Sequence, residues 1–142
     1  VHLAHDCQIG NNTIFANNAQ LAGHVRVGDF AILGGFTAVH QFARIGAHSM
    51  TGIGTILLQD LPPYVTAAGN PARPYGTNTE GLKRRGFSPD AVAAIKRAYK
   101  RIYRSGLSLR EALEAMRDES AAHPELGLLV DFLAAEGRGI VR

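Results

Sequence analysis

Leu3-Ala4-His5-Asp6-Cys7-Gln8-Ile9-Gly10-Asn11-Asn12-Thr13-Ile14-Phe15 opens a run in which a bulky apolar residue returns every six positions. The ladder goes on through Leu21, Val27, Leu33, Val39 and Ile45, lapses once at Thr51, and ends at Leu57. Four positions after each rung sits a small residue: Cys7, Thr13, Ala19, Val25, Ala31, Thr37, Ala43, Ser49 and Thr55. Glycine follows the rung directly at Gly10, Gly28, Gly34, Gly46 and Gly52. A period of six fits neither a helix at ~3.6 nor a plain strand at ~2. Offset four and the next rung lie two apart, so they face the same side of a strand, and offset five between them faces out. Offsets two and three are left for a corner. Each hexad is then one short strand and one turn, which is a hexapeptide β-helix.

This pattern resembles the left-handed parallel β-helix of the hexapeptide acyltransferases, in which three hexads close one triangular coil. The handedness comes from the resemblance, not from the period. The β-helix is expected over residues 1–61, stopped by Leu61-Pro62-Pro63, because proline removes ladder donors. Residues 62–87, punctuated by Gly69, Pro71, Pro74, Gly76, Gly81 and Gly86, read as an ordered connector. A small α-helical domain is expected over 88–142. Ser88-Pro89 opens its first helix, with an apolar stripe of Val92, Ile95, Tyr99, Ile102 and Tyr103. Ser108 with Glu111 is a capping box opening the second. Pro124 opens a third, through Leu128, Leu129, Phe132 and Leu133, ending near Gly137.

Composition narrows the function classes. The chain has 142 residues, 46% of them hydrophobic, and a formal charge of +3. That balance is only mildly basic, and no aromatic-basic interleaving supports nucleic-acid binding. The one cysteine, Cys7, excludes an internal disulfide and points to a reducing, cytoplasmic compartment. It sits at an inward offset-four position and reads as a buried small residue rather than a nucleophile. No apolar run approaches the ~20 residues of a membrane span. The chain enters the repeat in mid-pattern at Val1 and reads as the later part of a longer protein.

The histidines concentrate on one edge. With eighteen-residue coils, the hexads that start at Leu3, Leu21 and Val39 stack, and His5, His24 and His40 follow one another along that edge. Asp6 lies one coil from His24. A lone corner histidine is usually solvated surface, which is the reading for His48 and His123. Two chemistries suit the stacked set: metal ligation, or general base catalysis by one imidazole oriented by a carboxylate. The γ-type carbonic anhydrases share the β-helix and bind zinc through three histidines. Their motif is not met here, since positions 44 and 45 are Arg and Ile. Neither a metal nor a cofactor is expected.

Several runs carry a sharper resemblance. They are His2-Leu3-Ala4-His5-Asp6-Cys7, Asn17-Asn18-Ala19-Gln20-Leu21-Ala22-Gly23-His24-Val25, and Gly34-Gly35-Phe36-Thr37-Ala38-Val39-His40-Gln41-Phe42. Gly69-Asn70-Pro71 and Asn78-Thr79-Glu80-Gly81-Leu82-Lys83-Arg84-Arg85-Gly86-Phe87 add to them. Together they resemble the UDP-N-acetylglucosamine 3-O-acyltransferases, which perform the first acyl transfer of lipid A biosynthesis. The resemblance covers essentially the whole chain. It implies His5 as general base, Asp6 as its orienting carboxylate and the Gly23 N–H as oxyanion donor. His2, His24 and Gln41 would hold the sugar, and His40 the pantetheine or acyl side. Asn78, Glu80, Arg84 and Arg85 would contact the nucleotide, two guanidiniums suiting a diphosphate. Ile53 stands where the family gauges acyl-chain length and implies a shorter chain. The expected partners are UDP-N-acetylglucosamine, an acylated acyl carrier protein and two further copies in a homotrimer. Lys96, Arg97, Lys100, Arg101 and Arg104 read as a solvated helix face that could also dock the acidic carrier. Two alternatives stand beside this reading: another hexapeptide acyltransferase, and an inactive truncated chain that serves as a scaffold.

Overall fold

A computed structural model describes residues 1–142, which form two compact units: Val1–Asn78 with Gly137–Arg142, and Thr79–Glu136. In the first, ten two-residue strands wind the coil: β1 His2–Leu3, β2 Gln8–Ile9, β3 Ile14–Phe15, β4 Gln20–Leu21, β5 Arg26–Val27, β6 Ile32–Leu33, β7 Ala38–Val39, β8 Arg44–Ile45, β9 Met50–Thr51 and β10 Ile56–Leu57. They stack in parallel into three sheets, β1-β4-β7-β10, β2-β5-β8 and β3-β6-β9, the last continued by later strands. The register pairs Leu3 with Leu21 and Ile9 with Val27, eighteen residues on. This is the parallel β-helix that the six-residue period dictates.

The rungs and offset-four residues fill the interior. Leu21, Leu33, Val39, Ile45 and Leu57 are buried, as are Val25, Ala31, Thr37, Ala43, Ser49 and Thr55. Burying one such aliphatic rung contributes roughly 1.5–3 kcal/mol. Leu3, in strand β1 paired with β4, stays 43% exposed. Thr51, the lapse in the ladder, is buried, and its hydroxyl lies 2.9 Å from that of Thr37. A polar rung is tolerated because its partner stands in the same layer. The glycine after a rung has a steric cause. A Cβ on Gly28 would lie 2.6 Å from the Ala47 backbone nitrogen of the next coil.

Each corner carries a residue with positive φ, and these residues stack in columns. Asp6, His24 and Phe42 form one, at φ 59°, 60° and 66°. Asn12, Phe30, His48 and Tyr64 form the second, and Asn18, Phe36 and Gly54 the third. Asn, Asp and His accept this region; for Phe it is strained. Ring stacking offsets the strain: Phe30 lies over His48 at 5.0 Å, and His48 over Tyr64 at 5.7 Å.

The coil does not end at the prolines, and the expected connector over 62–87 is replaced by regular structure. Leu61 bridges Ile45 in parallel. Strand β11, Val65–Ala68, extends the third sheet beside β9, and β12, Arg73–Thr77, folds back antiparallel to β11. The prolines are tolerated for a directional reason. The N–H directly after a rung donates towards the following coil, as Gly28 does to Ile45 and Gly46 to Leu61. At Pro62 no further coil follows, so no donor is lost. The chain end also returns to this unit. Asp60 pairs in parallel with Ile140, and Val141 N–H donates to the Asp60 carbonyl at 2.8 Å.

The second unit is helical: α1 Thr79–Arg84, α2 Pro89–Tyr103, α3 Leu109–Ser120, a 3₁₀ turn at Pro124–Leu126 and α4 Gly127–Ala134. The sequence reading had not anticipated α1. Its end is a Schellman motif, with Phe87 N–H on Leu82 O and Gly86 N–H on Lys83 O. Ser88 caps α2, and Ser108 with Glu111 forms the reciprocal box on α3. Leu82, Val92, Ile95, Ile102, Ala112, Met116, Leu126 and Leu129 make the core. Leu128, expected on the apolar stripe, is 45% exposed, while Leu126 of the 3₁₀ turn and Leu129 of α4 are buried. No helix of the chain is long and apolar enough to cross a membrane.

Candidate active site

The column at the corner between the first two sheets brings His5, Asp6, Gly23 and His24 together. His5 Nδ1 lies 3.0 Å from Asp6 Oδ2. A carboxylate accepts, so Nδ1 carries the proton and Nε2 keeps its lone pair. The His5 hydrogen bond, then the charge of His24, hold the Asp6 carboxyl below its usual range. Asp6 thus stays anionic and fixes the imidazole's tautomer and orientation. His24 stands one coil on, its Nε2 3.8 Å from Asp6 Oδ2 and its ring edge-on to His5 at 5.0 Å. Its N–H donates to the His5 carbonyl at 3.0 Å, which ties the two corners together.

Gly23 makes room for this arrangement. A Cβ there would lie 2.7 Å from both Cε1 and Nε2 of His5. The Gly23 carbonyl accepts from Phe42 N–H, while no ladder bond takes up its own N–H. Gly23→Ala is expected to push the ring off Asp6 and break the Nδ1–Oδ2 bond. The imidazole ¹⁵N shifts of His5 check this: wild-type shifts in the variant would remove Gly23 from the site's geometry.

Other expected residues fall around this corner. His2 is exposed on β1, the strand that leads into it. Gln41 follows Gly23 in the stack, and the neighbouring His40 places Nδ1 3.0 Å from the Gln41 carbonyl. That carbonyl can only accept, which leaves His40 Nε2 as an acceptor. Phe42 was not anticipated. Its ring stacks on His24 at 4.6 Å with planes 3° apart and braces it. An exposed aromatic in a hexad corner gives no sign of this unless the eighteen-residue stack is drawn.

Ile53 is 78% exposed and lies at the third corner, stacked over Gly35 and Asn17. Within one chain it belongs to a different edge from His5. Asn78 is buried, and its side-chain amide donates to the His48 carbonyl at 3.1 Å. That bond anchors the end of the hairpin to the second corner. Glu80 and Arg84 are exposed on α1, and Arg85 is half-buried after it, its guanidinium pulled down from its ordinary value by burial. The run Lys83-Arg84-Arg85 therefore sits at a helix C-terminus, where cations are favourable. Of the four basic residues on α2, Arg97 and Arg101 both pair with Glu119 of α3; Arg104, at its C-cap, lies over the Tyr99 ring. Lys96 and Lys100 carry no such pairing.

Comparisons with known proteins bear on the family and the fold. The family profile described as UDP N-acetylglucosamine O-acyltransferase, domain 2, matches residues 60–141. An acyl-(acyl-carrier-protein)–UDP-N-acetylglucosamine O-acyltransferase of Thiobacillus denitrificans is 60% identical over the whole chain, which covers 55% of that relative. One from Janthinobacterium is 58% identical, with 56% of it covered. The chain thus spans about half the length of the relatives it matches. The solved structure of LpxA from Acinetobacter baumannii superposes with a TM-score of 0.93 at 44% identity, over 96% of this chain and 54% of that one. The Arabidopsis UDP-N-acetylglucosamine acyltransferase gives 0.86 at 35% identity, over 96% and 51%. The fold is their left-handed β-helix followed by helices. With its profile match spanning more than half of the residues, this chain belongs to the UDP-N-acetylglucosamine O-acyltransferase family.

Proposed function

We propose that this chain carries the catalytic base of an acyl transfer from acyl carrier protein to the 3-hydroxyl of UDP-N-acetylglucosamine, the first step of lipid A biosynthesis. The observation that carries it is the His5–Asp6 pair, with Nδ1 held and Nε2 free. His5 Nε2 takes the hydroxyl proton as the sugar oxygen attacks the thioester carbonyl carbon. Negative charge develops on the carbonyl oxygen, and the Gly23 N–H is the donor available to it. Collapse of the tetrahedral centre breaks the carbon–sulfur bond, and the imidazolium returns the proton to the departing thiolate. No acyl-enzyme and no cofactor are required.

His2, His24 and Gln41 hold the sugar in this reading, and His40 the pantetheine side. Asn78, Glu80, Arg84 and Arg85 take the nucleotide. Asn78 already gives one amide hydrogen to His48, so its oxygen and its second amide hydrogen are what it offers a ligand. Ile53 and His5 stand on different corners of the triangle. Both can line one cleft only where the corner of one copy faces another, which favours a homotrimer with sites between subunits. The carrier docks on the α2 face, chiefly through Lys96 and Lys100, since Glu119 already holds two of the arginines. The enzyme works in the cytoplasm, where its carrier and nucleotide sugar meet.

The test is transfer from 3-hydroxyacyl carrier proteins of several chain lengths to UDP-N-acetylglucosamine. The chain covers 55% of its Thiobacillus relative, so it is assayed as it stands and extended to the relative's length. Transfer is expected with a short-chain optimum, and Ile53→Gly should shift that optimum to longer chains. An unaltered optimum would remove Ile53 as the gauge, and no transfer in either form would refute the reaction.

A further inference from the structure

We infer that His5, Asp6 and His24 form a binding site for a borderline divalent cation, zinc above all, and that the bound ion withdraws His5 from base catalysis. Each side chain offers one ligand atom, and the three atoms lie within 4.8 Å of one another. His5 Nδ1 and His24 Nε2 stand 3.0 and 3.8 Å from Asp6 Oδ2. A tetrahedral zinc with bonds of ~2.0–2.1 Å needs ligand atoms roughly 3.3–3.4 Å apart. The two gaps bracket that spacing. All three residues are exposed, so small side-chain rotations complete the set without moving the coil. Two imidazoles and one carboxylate, with water in the fourth position, are ligands zinc accepts.

The site is also built, not a chance meeting of mobile side chains. The backbones of His5 and His24 are joined by a 3.0 Å hydrogen bond. Phe42 stacks on the His24 ring, and Gly23 leaves the space in which the His5 ring lies. No other trio of histidine, cysteine or acidic side chains in the chain converges in this way.

The consequence for catalysis rests on His5 acting as the base proposed above. A cation on Nδ1 displaces the proton now shared with Asp6. The neutral ring then keeps its one proton on Nε2, and the lone pair that would receive the substrate's proton is gone. The ion also takes Asp6 Oδ2 away from its orienting role.

The test is direct titration of this chain with Zn²⁺ by calorimetry, and with Co²⁺ as a visible-absorption probe of tetrahedral coordination. One ion per chain is expected. Asp6→Asn and His24→Asn should each weaken binding by about tenfold or more, and asparagine suits both left-handed corners. His123→Gln, a histidine of the helical unit, should bind as the wild type does. No binding at millimolar Zn²⁺, or binding unaltered in Asp6→Asn and His24→Asn, overturns the site. In the transfer assay Zn²⁺ should inhibit over the range in which it binds, and His24→Asn should move both curves together. Binding without inhibition overturns the second half of the proposal. Absence of transfer in chelator-treated protein counts against the reaction itself and against inhibition with it, while the titration still decides the site.

Discussion

His5→Ala should lower the rate of acyl transfer by about 100- to 10,000-fold and leave the fold intact. The size follows from what is lost. The hydroxyl of a sugar is a weak nucleophile until its proton has somewhere to go, and Nε2 of His5 is the one ring nitrogen of the pair not committed to Asp6. The fold should not notice. The His5 side chain is 72% exposed, and its carbonyl still accepts from His24 N–H in the variant. Surface changes of this kind usually alter stability by within ~0.5 kcal/mol. The drop should fall on kcat, because a base acts in the transition state and adds little to ground-state binding. Asp6→Asn should cost less than His5→Ala, since asparagine can still touch Nδ1 but no longer stabilises the imidazolium. Added imidazole should restore part of the rate to His5→Ala through the space left above Gly23. A loss of less than tenfold with unchanged thermal unfolding would assign the proton transfer to another group.

The coil was legible because its signal is repetitive. A period of six has one simple solution in strands, and the rung, small residue and glycine positions all return with it. Thr51 breaks the sequence rule and not the physical one, since Thr37 satisfies its hydroxyl. The meeting of Asp6 with His24 was equally legible, because an eighteen-residue stack places corners above one another. What escaped was everything that depends on a single contact across the stack. Phe42 reads as a stray surface aromatic until its ring is seen on His24. Pro62-Pro63 reads as a stop because sequence alone does not tell which way the ladder donates. The bond from the Asn78 amide to the His48 carbonyl is another such contact. Asp60 reads as an ordinary acidic residue before a turn, yet it is fully buried.

Asp60→Ala should destabilise the β-helical unit by about 3–5 kcal/mol, the usual cost of removing one member of a buried ion pair. Four donors converge on this carboxylate. Oδ1 accepts from the Arg44 backbone N–H at 2.8 Å. Oδ2 accepts from Arg44 Nε and NH2, each at 3.0 Å, and from the Arg138 N–H at 3.2 Å. Gly137 stands where any Cβ would collide with Oδ2, so the chain end is shaped around the carboxylate. Alanine removes the carboxylate that pairs with the guanidinium of Arg44, a side chain only 17% exposed, and it also orphans two backbone donors. Glu114→Ala is the contrast. Its pair with Arg110 is exposed on both sides at 3.8 Å and should cost under about 0.5 kcal/mol. Denaturant unfolding of the three proteins measures the difference. A loss of 3–5 kcal/mol is a large share of the ~5–15 kcal/mol that holds most domains together, so the melting point should fall by roughly 10 °C or more. Hydrogen exchange locates it: the Val141 amide, which donates to the Asp60 carbonyl, should lose protection before the amides of the central coils do. If Asp60→Ala and Glu114→Ala unfolded alike, the chain end would be held by its backbone pairing alone, and the buried carboxylate would be dispensable.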